Sequence, residues 1–527
     1  MLSVTSSLTR LTTNSPLHHP NPNSTLIAPI PKSNHVALPL RFRSGIKFAS
    51  KWIRSVINGS ELSSEPNDFA AITVPKRVVL VRHGQSTWNA EGRIQGSSNF
   101  SVLTEKGESQ AEVSRQMLAA DQFDVCFASP LNRSKRTAEV IWGSRKEKII
   151  TDYDLREIDL YSFQGLLKHE GKSKFGDAYS HWQTDASNFY IDGHYPVREL
   201  WSRARSCWKK VLAYDGRSVL VVAHNAVNQA LIGTALGLGP EYFRVLVQSN
   251  CGVSALDFSP SSEGSPPYVC LNRLNQPPLL VCAESVYGDN NNKVAPVVQT
   301  PKSPLAESGG RKANKRMVLV SIGSGSCINE GIYESHPEGK NLDAELSQKV
   351  AELLSDVNMT SIISSPGAVC TEAAAVISNV QKASYSGTSN LVMKQSQDLD
   401  SENIAEQSIK LGQKWFATLN SKIVTKLWDQ SGQAWPYLLS ELSYESQLEN
   451  VVVAVAPPLS HIALLGRCLN LTKEQLSLFH LDSGSVTVID FPDGPAKQGV
   501  VKCTNYTAHL GKWAAPISKS SLHNVEL

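Results

Sequence analysis

An arginine, a histidine and a glycine stand side by side at Arg82-His83-Gly84, directly after the apolar, β-branched run Val78-Val-Leu-Val81. A strand of this kind delivers a histidine to its own C-terminal edge. In open α/β sheets that edge is where ligands bind, and a glycine after the histidine lets backbone and substrate approach closely. A neutral imidazole beside a fixed cation can attack phosphorus while the guanidinium grips phosphate oxygens bidentately, so the triplet points to phosphoryl transfer. Three further stretches supply groups suited to the same chemistry. The run Asp124-Val-Cys-Phe-Ala-Ser-Pro-Leu-Asn-Arg-Ser-Lys-Arg-Thr-Ala-Glu-Val-Ile141 predicts a strand, the turn Ser129-Pro130, and a helix opening that carries Arg133 and Arg136, an anion site in the making. Leu155-Arg-Glu-Ile-Asp159 places Glu157 after a predicted strand, where a carboxyl group near phosphate can serve as general acid or base. Finally Ser218-Val-Leu-Val-Val-Ala-His224 repeats the opening design, a buried-type strand ending in histidine.

Taken in order, Arg82-His83-Gly84, Asn89, Arg133, Glu157 and His224 resemble the histidine phosphatase superfamily, also called the phosphoglycerate mutase-like family, over about residues 76–282. The resemblance implies that His83 is the nucleophile that becomes phosphohistidine and that Glu157 protonates the leaving oxygen. It implies that Arg82, Arg133, Asn89 and His224 surround the phosphoryl group. Charge on a transferring phosphoryl group spreads over its equatorial oxygens, so fixed donors and cations can do the work and no metal or other cofactor is expected. The phosphohistidine can pass to water or to a second hydroxyl. Mutases of the family carry an Arg-Arg stretch and a proline cluster after the acidic residue, whereas Tyr161 to Trp182 here has neither and looks like the phosphatase branch. Hydrolysis of a small sugar phosphate is the expectation. A phosphoglycerate mutase, a sugar bisphosphate phosphatase and a non-catalytic phosphosugar-binding scaffold remain the alternatives. Phosphatases of the family often show Gly-Glu-Ser after this helix; Glu199, in Gly193-His-Tyr-Pro-Val-Arg-Glu199, is the candidate replacement.

The chain has 527 residues, 41% apolar and 19% charged, enough for two domains that each bury a core. A formal net charge of +3 with scattered basic residues implies neither nucleic acid nor an anionic membrane as partner. No apolar run reaches the roughly 18 residues needed to span a bilayer. Nine cysteines without framework spacing fit free thiols in a reducing location; Cys126, beside the phosphate-site strand, is a candidate for redox control. Trp182, Trp201 and Trp208 at helical spacing read as core. Residues 1–60 contain no Asp or Glu, are rich in Ser and Thr, and carry Arg10, Lys32, Arg41, Arg43, Lys47, Lys51 and Arg54. Such a leader reads as a plastid transit peptide, which would place the mature protein in the stroma; a mitochondrial leader is the runner-up, disfavoured by the prolines and the weak amphipathic periodicity.

Residues 283–315 are polar and Pro/Gly-punctuated, a flexible linker. Beyond them the apolar frame of the first unit recurs. Met317-Val-Leu-Val-Ser-Ile-Gly-Ser324 parallels Val78 to Gln85, Ile362 to Pro366 parallels Cys126 to Pro130, Val451 to Pro457 parallels Ser218 to His224, and Val488 to Phe491 parallels Ala255 to Phe258. Ser321 stands in place of Arg82, Ile322 of His83, Val369 of Arg133 and Pro457 of His224. Isoleucine cannot take a phosphoryl group, and valine and proline offer no charge, so this unit is expected to be catalytically dead. The expected architecture is therefore two tandem three-layer α/β/α domains of the phosphoglycerate mutase-like kind, 76–282 catalytic and 316–512 degenerate, with the segment between about 380 and 445 a surface excursion lacking a counterpart. His461 reads as a structural helical histidine.

Overall fold

The run Val78–Val81 leaves no side chain in contact with water. Strands buried on both faces read as unbroken hydrophobic runs because helices cover both sides of a parallel sheet. The structure, a computed structural model, describes residues 69–261, 264–277, 313–323, 342–384, 391–401, 421–443, 449–511 and 513. The leader, most of the linker and the stretch 324–341 lie outside the described residues. The N-terminal half holds strands β1 (Lys76–Arg82), β2 (Val125–Ala128), β3 (Ile149–Thr151), β4 (Ser218–Ala223), β5 (Val253–Ser259) and β6 (Tyr268–Gln276). The C-terminal half holds β7 (Lys315–Ser321), β8 (Ser361–Ser364), β9 (Val392–Gln395), β10 (Asn450–Ala456), β11 (Ser485–Asp490) and β12 (Val500–Tyr506). The helices are α1 (Thr87–Glu91), α2 (Glu105–Met117), α3 (Asn132–Trp142), α4 (Lys168–Phe175), α5 (Asp177–Thr184), α6 (Pro196–Ala213), α7 (Asn225–Ala235), α8 (Leu342–Leu353), α9 (Ala368–Ser384), α10 (Ser421–Ser443) and α11 (Pro458–Cys468).

Among the described residues the strands form one mixed sheet in the order β3-β2-β4-β1-β5-β6-β12-β11-β7-β10-β8-β9. Each half has the same order, and each keeps the same senses of pairing. β1 is parallel to β4 and antiparallel to β5, as β7 is parallel to β10 and antiparallel to β11. Even the ion pairs recur: Arg77 holds Asp257 across β1 and β5, and Arg316 holds Asp490 across β7 and β11. The halves meet edge to edge where Thr504 of β12 pairs antiparallel with Leu274 of β6. The two tandem units expected from the sequence share one continuous sheet among the described residues, because the final strand of each half supplies its unpaired edge to the other.

One apolar cluster runs the length of the sheet on one face, joining Val78, Leu80, Trp201 and Trp208 to Met317, Leu319, Leu438 and Phe491. The opposite face carries a separate cluster in each half. Trp182, Trp201 and Trp208 are core residues, and the Nε1–H groups of Trp201 and Trp208 donate to Leu238 O and Leu231 O at 2.9 Å, satisfying the polar end of each buried ring. The described parts of the segment 380–445 are not a surface excursion. They contain β9, which extends β8 as β3 extends β2. They also contain α10, which buries Leu427, Ala434, Leu438 and Leu442 and packs on α11 as α6 packs on α7.

Candidate functional site

β1 and β4 are parallel neighbours with Arg82 level with Ala223, so the residues that follow them emerge together. His83 and His224 stand with ring centroids 5.0 Å apart in an edge-on arrangement. Both rings are almost wholly excluded from solvent. The two imidazoles are held in complementary states. His83 Nδ1 lies 2.6 Å from Gly84 O; a carbonyl can only accept, so Nδ1 carries the proton and Nε2 keeps its lone pair. His224 Nε2 lies 2.7 Å from Ser129 Oγ, and Leu131 N donates to that same hydroxyl. The buried Ser129 hydroxyl needs an acceptor for its own proton, and His224 Nε2 provides one. The proton of His224 then sits on Nδ1, a buried atom with no protein partner. One ring thus offers a lone pair and the other a donor.

The cations are equally constrained. Arg82 donates through Nη1 to Gln248 O at 2.8 Å, and its Nε is buried without a partner. Arg133 is 0% exposed, not one of several cations on a solvated helix face. Its Nη1 and Nη2 donate to Ser98 O at 2.7 Å and Gly96 O at 2.9 Å, and its Nε too is unpartnered. Burial brings the Arg133 guanidinium down to about 10, still charged at neutral pH. Burial, then the charges of Arg133 and Arg82, hold His83 well below the usual histidine range; burial and Arg133 do the same to His224. Both rings are therefore neutral, as a nitrogen nucleophile must be.

Glu157 sits over the start of α7, directly after His224. The amides of Ala226 and Val227 donate to its carboxylate at 3.1 and 3.2 Å, and Ile158 N at 2.9 Å, while its charge bears on both Arg82 and Arg133. Asp152 and Asp154 are engaged elsewhere, with Lys210. Asn89 has two attachments: it closes a capping box with Ser86 at the start of α1, and its Oδ1 lies 3.4 Å from Asn250 Nδ2. Asn250 in turn donates to His83 O at 3.0 Å. The close approach that Gly84 permits is to protein backbone: a Cβ there would lie 2.3 Å from Gly107 O of α2. Among the described residues no group of His, Cys, Asp and Glu is arranged to hold a metal ion, and no helix is long and apolar enough to cross a membrane.

The profile of the histidine phosphatase superfamily (branch 1) matches residues 78–265. The probable 2-carboxy-D-arabinitol-1-phosphatase of Arabidopsis thaliana is 55% identical over 469 residues, covering 87% of this chain and 92% of its own. The chain belongs to the histidine phosphatase superfamily. The 2-carboxy-D-arabinitol-1-phosphatase of Triticum aestivum is 52% identical over 469 residues, 86% of this chain and 90% of its own. The probable phosphoglycerate mutase GpmB of Cronobacter sakazakii is 35% identical over 190 residues, 35% of this chain and 86% of its own.

For a histidine phosphatase the supporting residues matter as much as the reactive ones, and sequence reasoning missed several: the hydroxyl of Ser129, the side chain of Asn250, Thr137, which accepts from Gly84 N, and Arg203, which holds the Glu157 carbonyl. A single sequence gives no signal that separates these from ordinary polar residues. The expectation for Cys126 fails. Its thiol is buried, burial pushes its pKa up, and it faces Phe127 O, the opposite of an accessible thiolate.

The buried imidazoles also make stability depend on pH. Burial brings His461 down to about 3 and His509 to about 4, and His83 and His224 are depressed as well. Below pH about 6.5 the unfolded chain takes up protons that the folded rings refuse, so stability falls with falling pH; above it both states are neutral and the contribution is flat. Each ring contributes a slope of up to about 1.4 kcal/mol per pH unit, down to about pH 4 for His509 and 3 for His461. Urea midpoints should decline steadily from pH 6.5 to 4.5, and a constant midpoint over that interval contradicts this account.

Proposed function

We propose that this protein is a phosphomonoester hydrolase working through a phosphohistidine on His83, and that its substrate is 2-carboxy-D-arabinitol 1-phosphate. The observation that carries the chemistry is the free Nε2 lone pair of a buried, neutral His83 whose Nδ1–H is committed to Gly84 O. Arg82 and Arg133 bind the equatorial phosphate oxygens, His224 donates to them through Nδ1–H, and Asn89 adds a further polar contact. Nε2 attacks phosphorus as the bond to the sugar oxygen breaks, and Glu157 delivers a proton to that oxygen. Water then attacks the phosphohistidine, Glu157 takes its proton, and inorganic phosphate leaves His83 as it began. Charge developing on the phosphoryl oxygens meets fixed guanidinium groups in a dry site, where such interactions are strongest.

The choice of substrate rests on the names and extents of the two plant relatives. On this reading the substrate is a night-time inhibitor of Rubisco, and its hydrolysis, in the chloroplast stroma, frees the carboxylase. The acid-free leader supports that location. The sugar-acid carboxylate calls for a cation near the phosphate. Arg198 is occupied by Ser187 O and Asn188, which leaves Arg156, Lys168 and His169 as candidates. We read the C-terminal half as a degenerate copy of the catalytic domain, supported by its matching strand order and by Ser321, Ile322, Val369 and Pro457 at the reactive positions.

Rapid quenching during turnover of 2-carboxy-D-arabinitol 1-phosphate should trap acid-labile phosphate on His83. An unlabelled enzyme that still releases phosphate refutes the covalent route. Transfer of the label to a glycerate hydroxyl in preference to water would make the protein a mutase. The role of Glu157 has its own test. Glu157→Gln should lower turnover of the sugar phosphate roughly 10²- to 10⁴-fold but lower hydrolysis of p-nitrophenyl phosphate far less, since that leaving group departs without a proton. Equal losses on both substrates would remove the acid role.

A further inference from the structure

The edge-to-edge seam is built around two asparagines in matching places. Asn275, near the end of β6, and Asn505, near the end of β12, have φ of 50° and 54°, the left-handed region that non-glycine residues other than Asn and Asp seldom enter. Both are buried. Asn275 Nδ2 crosses the seam to Lys502 O at 2.7 Å, and Asn505 Nδ2 crosses in the other direction to Asn272 O at 2.9 Å. Each Oδ1 accepts an amide of its own half, Asn275 from Ser249 N at 2.7 Å and Asn505 from Asp482 N at 2.8 Å. The clasp is thus self-complementary, as the contact surface of a two-fold dimer would be.

The symmetry ends at what each clasp holds. Ser249 lies between Gln248, whose carbonyl accepts Arg82 Nη1, and Asn250, whose side chain donates to the carbonyl of His83. The neighbouring residues are wound onto the same two positions: Cys251 N donates to Arg82 O, and Arg82 N to Gly252 O. The C-terminal half grips the front of this segment too, since Val247 N donates to Val501 O and Val501 N to Val245 O. On the opposite side, Asn505 holds Asp482, and two residues further on Gly484 N donates to Ser321 O at 2.7 Å; Ser321 and Ile322 stand there in place of the arginine and the histidine.

We propose that Asn275 is a positioning residue through which the C-terminal half fixes the Arg82–His83 pair. Its amide ties β12 to the segment that holds the arginine fork and the histidine backbone, so the half without reactive groups completes the site of the half that has them. The proposal rests on the reading of His83 as nucleophile.

Asn275→Gly and Asn505→Gly test it in the full-length protein. Glycine tolerates the positive φ, so each variant removes one cross-seam bond and the two side-chain bonds to its own half, to Ser249 or to Asp482, without adding strain. Both should lower the melting temperature by similar amounts. Asn275→Gly should lower kcat, measured on folded protein, by roughly 10- to 100-fold, the scale of a small misplacement of reacting groups. Asn505→Gly should stay within about twofold of wild type. Asn275→Asp, which keeps the acceptor for Ser249 N and loses the donor to Lys502 O and Ser249 Oγ, should fall between Asn275→Gly and wild type, and serves if the glycine variant does not fold. Unchanged kcat in the Asn275 variants, or an equal loss in Asn505→Gly, overturns the proposal. A wild-type enzyme that forms no phosphohistidine instead overturns the functional reading beneath it.

Discussion

His83→Ala abolishes turnover, by at least ~10⁴-fold, the scale on which loss of a covalent nucleophile is felt. The residue offers one lone pair, at Nε2, and no described neighbour can replace it. His224, 5.0 Å away between ring centroids, has its own Nε2 committed to Ser129, so its acceptor atom is turned to the protein and its Nδ1 carries hydrogen. The fold should survive the change. The strand-end backbone of residue 83 is fixed by Ala223 O and Asn250, bonds that alanine retains. What is lost is the Nδ1–H donor to Gly84 O, a cost of about 1–3 kcal/mol at most, and with it a buried ring that resists protonation. Circular dichroism should therefore show a native spectrum while phosphate release and the acid-labile label vanish together. Turnover persisting near the wild-type rate would mean that another group attacks phosphorus, and the reading of the site would be wrong at its root.

The strand-end placement of the two candidate-site histidines was legible in the sequence because its signal is local. A strand of uninterrupted apolar residues that stops at a histidine predicts both burial and the end at which the histidine emerges, and it did so for His83 and His224 alike. The repeated frame of the C-terminal half was legible for the same reason. The seam was not. β6 reads Tyr-Val-Cys-Leu-Asn-Arg-Leu-Asn-Gln, a pattern suited to an edge strand with one wet face. In the structure Asn272, Arg273, Asn275 and Gln276 are all buried, because polar groups from the other half meet them: Arg273 pairs with Asp482, and Gln276 donates to Thr504 O. Partners more than 200 residues apart in the chain leave no trace in local periodicity. The helix α10 was missed because the polar stretch around Gln395–Asn403 dominates its surroundings, although its own Leu427, Ala434, Leu438 and Leu442 follow a helical face. Ser129 and Asn250 could not be singled out at all, since a serine after a strand and an asparagine in a turn are common wherever chains reverse.

Arg133→Ala should lower kcat/KM by ~10³-fold or more, in the range that a phosphate-stabilising arginine commands. Two losses combine. The phosphoryl oxygens lose a guanidinium held in a dry site, where its attraction is least screened. The loop of Gly96 and Ser98 also loses its anchor, leaving two carbonyl groups without their donors. Arg133→Lys separates these effects. Lysine keeps a positive charge but presents a single ammonium on a flexible stem, unable to span both carbonyls and still offer a fork to phosphate. If charge alone mattered, lysine would restore most of the activity; the geometry here predicts that it recovers no more than about tenfold. Measured kcat/KM for the three proteins, at low and high salt, decides the point. A lysine variant close to wild type would assign Arg133 to simple charge, and an alanine variant within tenfold of wild type would reduce it to a loop anchor. Since a buried arginine that binds carbonyls on one side and leaves Nε unsatisfied on the other is costly unless something anionic completes it, the expected order is wild type far above lysine, and lysine modestly above alanine.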